Sequence, residues 1–314
     1  MRHLRRHVVS FPPPKAKKMD LNGTTRIVLG QKETKMNERD VRLPDGEAIT
    51  PPLGQGTWMM GEDPSRRAEE IATLRRGLDL GLTLIDTAEM YGDGASEEMV
   101  GEAIRGRREE VFLVSKAYPQ NASEARLPDA CRRSLRRLGT DRLDLYLLHW
   151  RGNVPLGETV VAMERLKRDG LIRNWGVSNL DTDDMEELSA ADGFGCQTNQ
   201  VLYNLTRRGV EWNLLPWMSS RGIPAMAYSP IEQGRLLSHP EFALLAEGLS
   251  LSPARLALAW LLERPGVIPI PKAGSVAHVE DNAGALDVRL DEETRTFLDK
   301  LFPPPTHRTP LEMI

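Results

Sequence analysis

Apolar segments in this chain end at a nearly constant interval, and that interval limits the fold more than any single motif. They stop near Thr57, Asp86, Lys116, His149, Ser178, Gln200, Tyr228 and Ile270, with gaps of 29, 30, 33, 29, 22, 28 and 42 residues. A strand with its returning helix takes about 30 residues. Between the strands the apolar period changes to three or four residues. Leu127, Cys131, Leu135 and Leu138 form one stripe, and Val160, Met163 and Leu166 another. Gly139, Gly170 and Gly222 stand where such helices should stop.

Eight successive units predict an α/β fold, a (β/α)8 TIM barrel rather than an open doubly wound sheet. A dinucleotide-binding sheet would carry G-x-G-x-x-G after its first strand. Here the segment is Gly54-Gln55-Gly56-Thr57-Trp58-Met59, and Met59 breaks the pattern. Residues 41–49 read as an N-terminal β-hairpin around Pro44-Asp45-Gly46. An extra helix is expected after the eighth unit. The longest gap holds Ile231 to Leu251 and is expected to form a lid over the barrel mouth. No linker interrupts the series, so 41–314 is expected to be one barrel domain.

Residues 1–40 differ in character. Positions 1–35 carry nine Lys and Arg against Asp20 and Glu33, a local charge of +7 in a chain of net −4. The stretch has no helical or strand period and reads as a basic, disordered extension. Arg5, Arg6 and His7 interrupt the apolar run that a secretory signal would need. The modest net charge gives no general reason to expect nucleic acid or a membrane surface as partner. Cys131 and Cys196 are too few for a disulfide framework and read as buried thiols of a cytoplasmic protein.

Groups suited to proton transfer cluster at three strand ends. Asp86, Lys116 and His149 terminate consecutive strands, and Tyr91 lies on the loop just past Asp86. Strand ends at one rim of a barrel face a common mouth. Lys116 and Asp86 alone could be a structural ion pair. With Tyr91 beside them, the ammonium is expected to lower the phenol pKa and ready it to protonate a carbonyl oxygen. His149 reads either as a hydrogen-bonded core edge or as a group that orients a carbonyl. No His-x-His or His-Glu-x-x-His motif occurs, and no metal is expected. Trp58, Tyr118 and Trp150 follow the first, third and fourth strands and are expected to wall a substrate pocket.

Several ordered segments resemble the aldo-keto reductases. They include Asp86-Thr87-Ala88-Glu89-Met90-Tyr91-Gly92, Leu113-Val114-Ser115-Lys116 and Asp144-Leu145-Tyr146-Leu147-Leu148-His149-Trp150. Others are Gly176-Val177-Ser178-Asn179, Gln200-Val201-Leu202-Tyr203-Asn204, Ala227-Tyr228-Ser229-Pro230 and Ile268-Pro269-Ile270-Pro271-Lys272. The resemblance runs from about 41 to 302 and extends to the prokaryotic members, bacterial methylglyoxal reductases among them. It implies a barrel that binds a nicotinamide dinucleotide. In that reading Tyr91 is the general acid, Lys116 and Asp86 tune it, and His149 positions the carbonyl. Ser178, Asn179 and Gln200 would hold the nicotinamide amide, and Tyr228 would stack on its ring, next to Ser229 and Pro230.

Ser178 and Asn179 read equally as a helix N-cap. Lys272 and Ser275 precede the last barrel helix, where phosphate is favoured, with Asn282 towards adenine. A lysine there suits NADPH. The family often adds an arginine, but this chain has His278, which leaves NADH open as an alternative. The implied activity is NAD(P)H-dependent reduction of aldehydes or α-ketoaldehydes by a monomer or weak oligomer. Two other readings fit the same residues. One is a lyase using Lys116 as a Schiff base, and the other is an NADPH-binding redox sensor of low turnover.

Overall fold

The structure, a computed structural model, describes residues 39–314. The basic extension expected over 1–40 lies, apart from its last two residues, outside the described residues. Arg39 is already tied to the folded unit: Nη1 donates to Leu286 O at 3.2 Å and Nη2 to Val288 O at 2.7 Å.

A short antiparallel hairpin comes first, β1 (Val41–Arg42) with β2 (Ala48–Ile49), in the register Val41 to Ile49. Eight parallel strands follow. They are β3 (Gln55–Gly56), β4 (Leu84–Asp86), β5 (Phe112–Ala117), β6 (Leu143–Leu148), β7 (Ile172–Ser178), β8 (Cys196–Leu202), β9 (Ala225–Tyr228) and β10 (Val267–Pro269). Each pairs with the next in sequence order. The seam closes where Gly54 N donates to Pro269 O at 2.9 Å and Gly56 N to Pro271 O at 3.0 Å. The sheet is therefore a closed barrel, as expected.

Helices α1 (Arg67–Asp79), α2 (Ala95–Ala103), α3 (Leu127–Leu138), α4 (Leu156–Arg168), α5 (Thr182–Ala190) and α6 (Leu214–Ser219) return the chain after β3 to β8. Two helices, α7 (Pro240–Gly248) and α8 (Pro253–Leu262), follow β9. The last unit ends with α9 (Val276–Ala283), and the additional helix is α10 (Glu292–Leu301). Gly139, Gly170 and Gly222 adopt positive φ just beyond α3, α4 and α6. No single described helix is long and apolar enough to cross a membrane.

Period-two alternation divides the strand side chains between two cores. Ile85, Leu113, Tyr146, Leu148 and Val177 point outward and pack under the helices. Leu84, Phe112, Val114, Leu145, Leu147, Met226, Ile268 and Ile270 fill the barrel. Val41, Leu43 and Ile49 of the hairpin join this interior cluster and plug one end. Following the inward series towards the other end gives Leu84 then Asp86, Val114 then Lys116, and Leu147 then His149. It also gives Met226 then Tyr228, and Ile270 then Lys272. The last inward residues of successive strands thus gather at the open mouth, with Lys116 buried beneath it.

The expected lid over 231–251 is not what forms. A 3-10 turn spans Glu232–Ser238, and α7 follows it. His239 caps α7, accepting from Phe242 N at 3.4 Å, and Phe242 is fully buried. Its ring meets Phe302 edge-on at 5.9 Å between centroids. Phe242 and Ala246 supply an i, i+4 buried pair that docks the helix beside α8. Only Ile231, Gln233 and Gly234 of this segment reach the mouth.

Candidate active site

A cavity of about 700 Å³ opens at the mouth. Trp58, Asp86, Tyr91, His149, Trp150, Ser178, Asn179, Gln200, Tyr228, Ser229, Pro230, Lys272 and His278 all line it. Four expected residues do not: Lys116 lies beneath the cavity floor, behind Asp86 and Tyr91, and Tyr118, Ser275 and Asn282 lie elsewhere. Tyr118 stacks edge-on against Trp150, with centroids 5.9 Å apart, behind the wall. Ser275 is the N-cap of α9, its hydroxyl accepting from His278 N at 3.4 Å. Asn282 is buried and borders a separate small void near Ala273.

Lys116 is fully buried, and its ammonium uses all three protons. Nζ donates to Asp86 Oδ2 at 2.7 Å, to Thr87 O at 2.8 Å and to Tyr91 OH at 3.0 Å. Burial alone would lower its pKa, but Asp86 and Tyr91 outweigh burial and the net shift is upward. The lysine stays charged. Because it donates to the Tyr91 oxygen, the phenol's own proton is free for the cavity. This arrangement does not suit a Schiff base, which needs a neutral, accessible amine.

The expected lowering of the Tyr91 pKa is not found. Burial raises it, the ammonium of Lys116 opposes, Asp86 adds to burial, and the net shift is upward. The neighbouring charge by itself would lower it, but desolvation of a phenolate at a site 9% exposed outweighs that charge. Tyr91 is therefore held as the neutral acid. His149 lies beside it, the two rings edge-on at 5.8 Å. Burial and the Lys116 ammonium push the imidazole down to about 2, so it is neutral. Its Nδ1 is buried without a hydrogen-bond partner among the described residues, and the ring borders the cavity.

A hydrogen-bonded chain connects this cluster to the far wall. Gln200 Nε2 donates to Asp86 Oδ1 at 2.8 Å, and Ser178 Oγ donates to Gln200 O at 2.9 Å. Asn179 Nδ2 donates to Ser178 Oγ at 3.0 Å and to His149 O at 3.1 Å. Tyr228 OH donates to Asn179 Oδ1 at 2.9 Å. The N-cap of α5 is Asp181, in a capping box with Asp184, and not Ser178 or Asn179. Asn179 instead turns the chain at φ +57°. Met59, Asn179, Ser229 and Gln233, all non-glycine residues at positive φ, line the cavity. Strained backbone gathered at one rim is a mark of a functional surface.

Several lining residues were not singled out from sequence: Arg66, Met90, Gln233, Met313 and Ile314. Of these, Arg66 carries the strongest chemistry, and it stands beside Gly274. A Cβ at Gly274 would meet the ends of Arg66, Lys272 and His278, so a small cradle exists there that a side chain would fill. The site therefore offers a phenol with a wall of hydroxyl and carboxamide groups at one end and basic groups at the other. Those features fit a phosphorylated nicotinamide dinucleotide with a small carbonyl compound.

The chain is similar to known proteins of one family. The model of the aldo/keto reductase family matches residues 52–302. Methylglyoxal reductase YeaE of Escherichia coli is 52% identical over 275 residues, which span 86% of this chain and 97% of that protein. An aldo-keto reductase from Klebsiella pneumoniae, solved in complex with NADPH, superposes with a TM-score of 0.86 at 53% identity, covering 89% of this chain and all of that one. Glyoxal reductase of Bacillus subtilis is 34% identical, over 74% of this chain and 83% of that protein.

Proposed function

The chain belongs to the aldo/keto reductase family, and we propose that it reduces small α-ketoaldehydes of the methylglyoxal type with NADPH, Tyr91 supplying the proton. It is an oxidoreductase acting on carbonyl groups with a nicotinamide cofactor. The observation that carries the residue assignment is the direction of one hydrogen bond. Lys116 donates to Tyr91 rather than accepting from it, so the phenolic proton is left for substrate.

Ser178, Asn179 and Gln200 are suited to the carboxamide, with Tyr228 beside the ring and Lys272 towards the phosphates. The reduced nicotinamide that these residues would hold would supply the hydride for the carbonyl carbon. Tyr91 passes its proton to the carbonyl oxygen, and the phenolate left behind is held by the Lys116 ammonium until solvent reprotonates it. Neutral His149 presents Nε2 to the same oxygen and fixes its position. Trp58, Trp150 and Met90 give the carbonyl compound an apolar wall. The small buried thiols Cys131 and Cys196, unpaired and pushed up to about 12 by burial, suit a reducing cytoplasm.

The test is Tyr91→Phe, followed by NADPH consumption with methylglyoxal and by direct NADPH binding. Turnover should fall by about 100-fold or more, the scale of a lost general acid. NADPH affinity should stay within a factor of two or so, since the acid adds no ground-state contact. A variant that reduces methylglyoxal at the parent rate sinks the assignment of Tyr91.

A further inference from the structure

At the end of the cavity away from Tyr91, three basic nitrogens converge on one point. A Cβ at Gly274 would stand 3.3 Å from Arg66 Nη2, 3.6 Å from Lys272 Nζ and 3.8 Å from His278 Nδ1. Lys272 continues the inward series of β10, and His278 lies in the first turn of α9. Arg66 comes from the loop between β3 and α1, which barrel closure sets beside the loop after β10. Its Nη2 donates to Gly274 O at 3.0 Å and is held at the cavity edge. Among the described residues no carboxylate forms an ion pair with Arg66 or Lys272. The charge of Arg66 is the smallest of the influences on Asp63. Most arginines here are paired: Arg107, Arg142, Arg151, Arg207 and Arg208 each bind two carboxylates. An unpaired guanidinium clustered with a second cation on a cavity wall is the arrangement expected of an anion site.

We propose that Arg66 is the residue that selects NADPH over NADH, holding the 2′-phosphate together with Lys272 and His278. This rests on the reading of the chain as a nicotinamide-dependent reductase. Both dinucleotides carry the pyrophosphate, so contacts to it do not discriminate between them. A phosphate monoester has three terminal oxygens and a charge near −2. Lys272 meets it as a point charge, whereas a guanidinium offers a planar fork that two oxygens can share. His278 cannot provide that fork, and Arg66 provides it from a different loop. The open space at Gly274 leaves the convergence point free.

Isothermal titration of NADPH, NADH, adenosine 2′,5′-bisphosphate and AMP tests this on the parent chain and on Arg66→Ala and Arg66→Lys. Arg66→Ala should weaken NADPH and the bisphosphate about 10- to 100-fold and change NADH and AMP less than about threefold, the scale of one charge-assisted contact. Arg66→Lys should fall between the parent and Arg66→Ala for the 2′-phosphorylated ligands alone. Equal weakening of NADPH and NADH would make Arg66 a pyrophosphate contact or a loop latch through Gly274 O, and would overturn the proposal. Unchanged NADPH affinity would overturn it too. If the parent binds neither dinucleotide, the reductase reading fails along with this one.

Discussion

At His149, burial and the ammonium of Lys116 act in the same direction, and the ring is neutral down to about pH 2. At Tyr91 they oppose, and burial prevails. Lys116 shows the third outcome, in which close partners overcome burial and the charge is kept. One desolvated pocket thus holds a neutral acid, a neutral imidazole and a charged lysine together. His149 has a consequence for stability that can be signed. An unfolded histidine titrates near 6.5, so between there and about 2 the unfolded chain binds a proton that the folded chain does not. Stability therefore falls as pH drops below 6.5. From about pH 7 to about pH 5 the loss from this one group is about 2 kcal/mol. Urea unfolding of His149→Gln over the same range should lack that part of the slope, whatever the variant does to absolute stability. Equal slopes for parent and variant would mean that His149 titrates normally in the folded state.

Among the elements, the seam between β3 and β10 is closely packed. A Cβ at Gly56 would lie 2.7 Å from Ile270 O, a backbone atom that no rotamer change can move aside. Gly56→Ala should lower stability by about 1–3 kcal/mol, as overpacking does, and should disturb the cavity that Gly56 lines. An unchanged urea midpoint would show that the seam is slack. The strands around this seam were legible because each apolar run stops on a residue of a different kind, and the inward alternation carries Asp86, Lys116, His149 and Lys272 to one rim. Helix α7 was not legible as a helix. Its buried stripe is only Phe242 and Ala246, too short a repeat to stand out from a loop. Arg66 was missed for another reason. It sits in a polar loop without period, and nothing local places it beside Gly274, 208 residues later. Only ring closure, which sets the first strand against the eighth, brings the two together. Tyr118 and Asn282 fall off the cavity wall because register along a loop or helix end, unlike register along a strand, is not carried by alternation.

Across the whole molecule, the barrel is plugged at one end by the hairpin and open at the other, so the chemistry has a single accessible face among the described residues. The polypeptide enters this body earlier than the hairpin. Arg39 has a side chain only 9% exposed and reaches Leu286 O and Val288 O, and it lies 3.5 Å from Glu263. It fastens the stretch before β1 to the segments after α8 and before α10. We therefore place the start of the folding unit at Arg39, not at the hairpin. A chain begun at Glu38 should keep the unfolding midpoint and the NADPH affinity of the full chain. A chain begun at Val41 loses two hydrogen bonds from a charged donor and leaves two carbonyls to find other partners, a cost of about 2–4 kcal/mol. It should unfold at lower urea while still binding NADPH, since Arg39 does not line the cavity. If the Glu38 chain unfolds as early as the Val41 chain, residues before 38 contribute to stability and the boundary is set too late. If both match the full chain, Arg39 lies on the surface without holding it, and the hairpin is the true start of the fold.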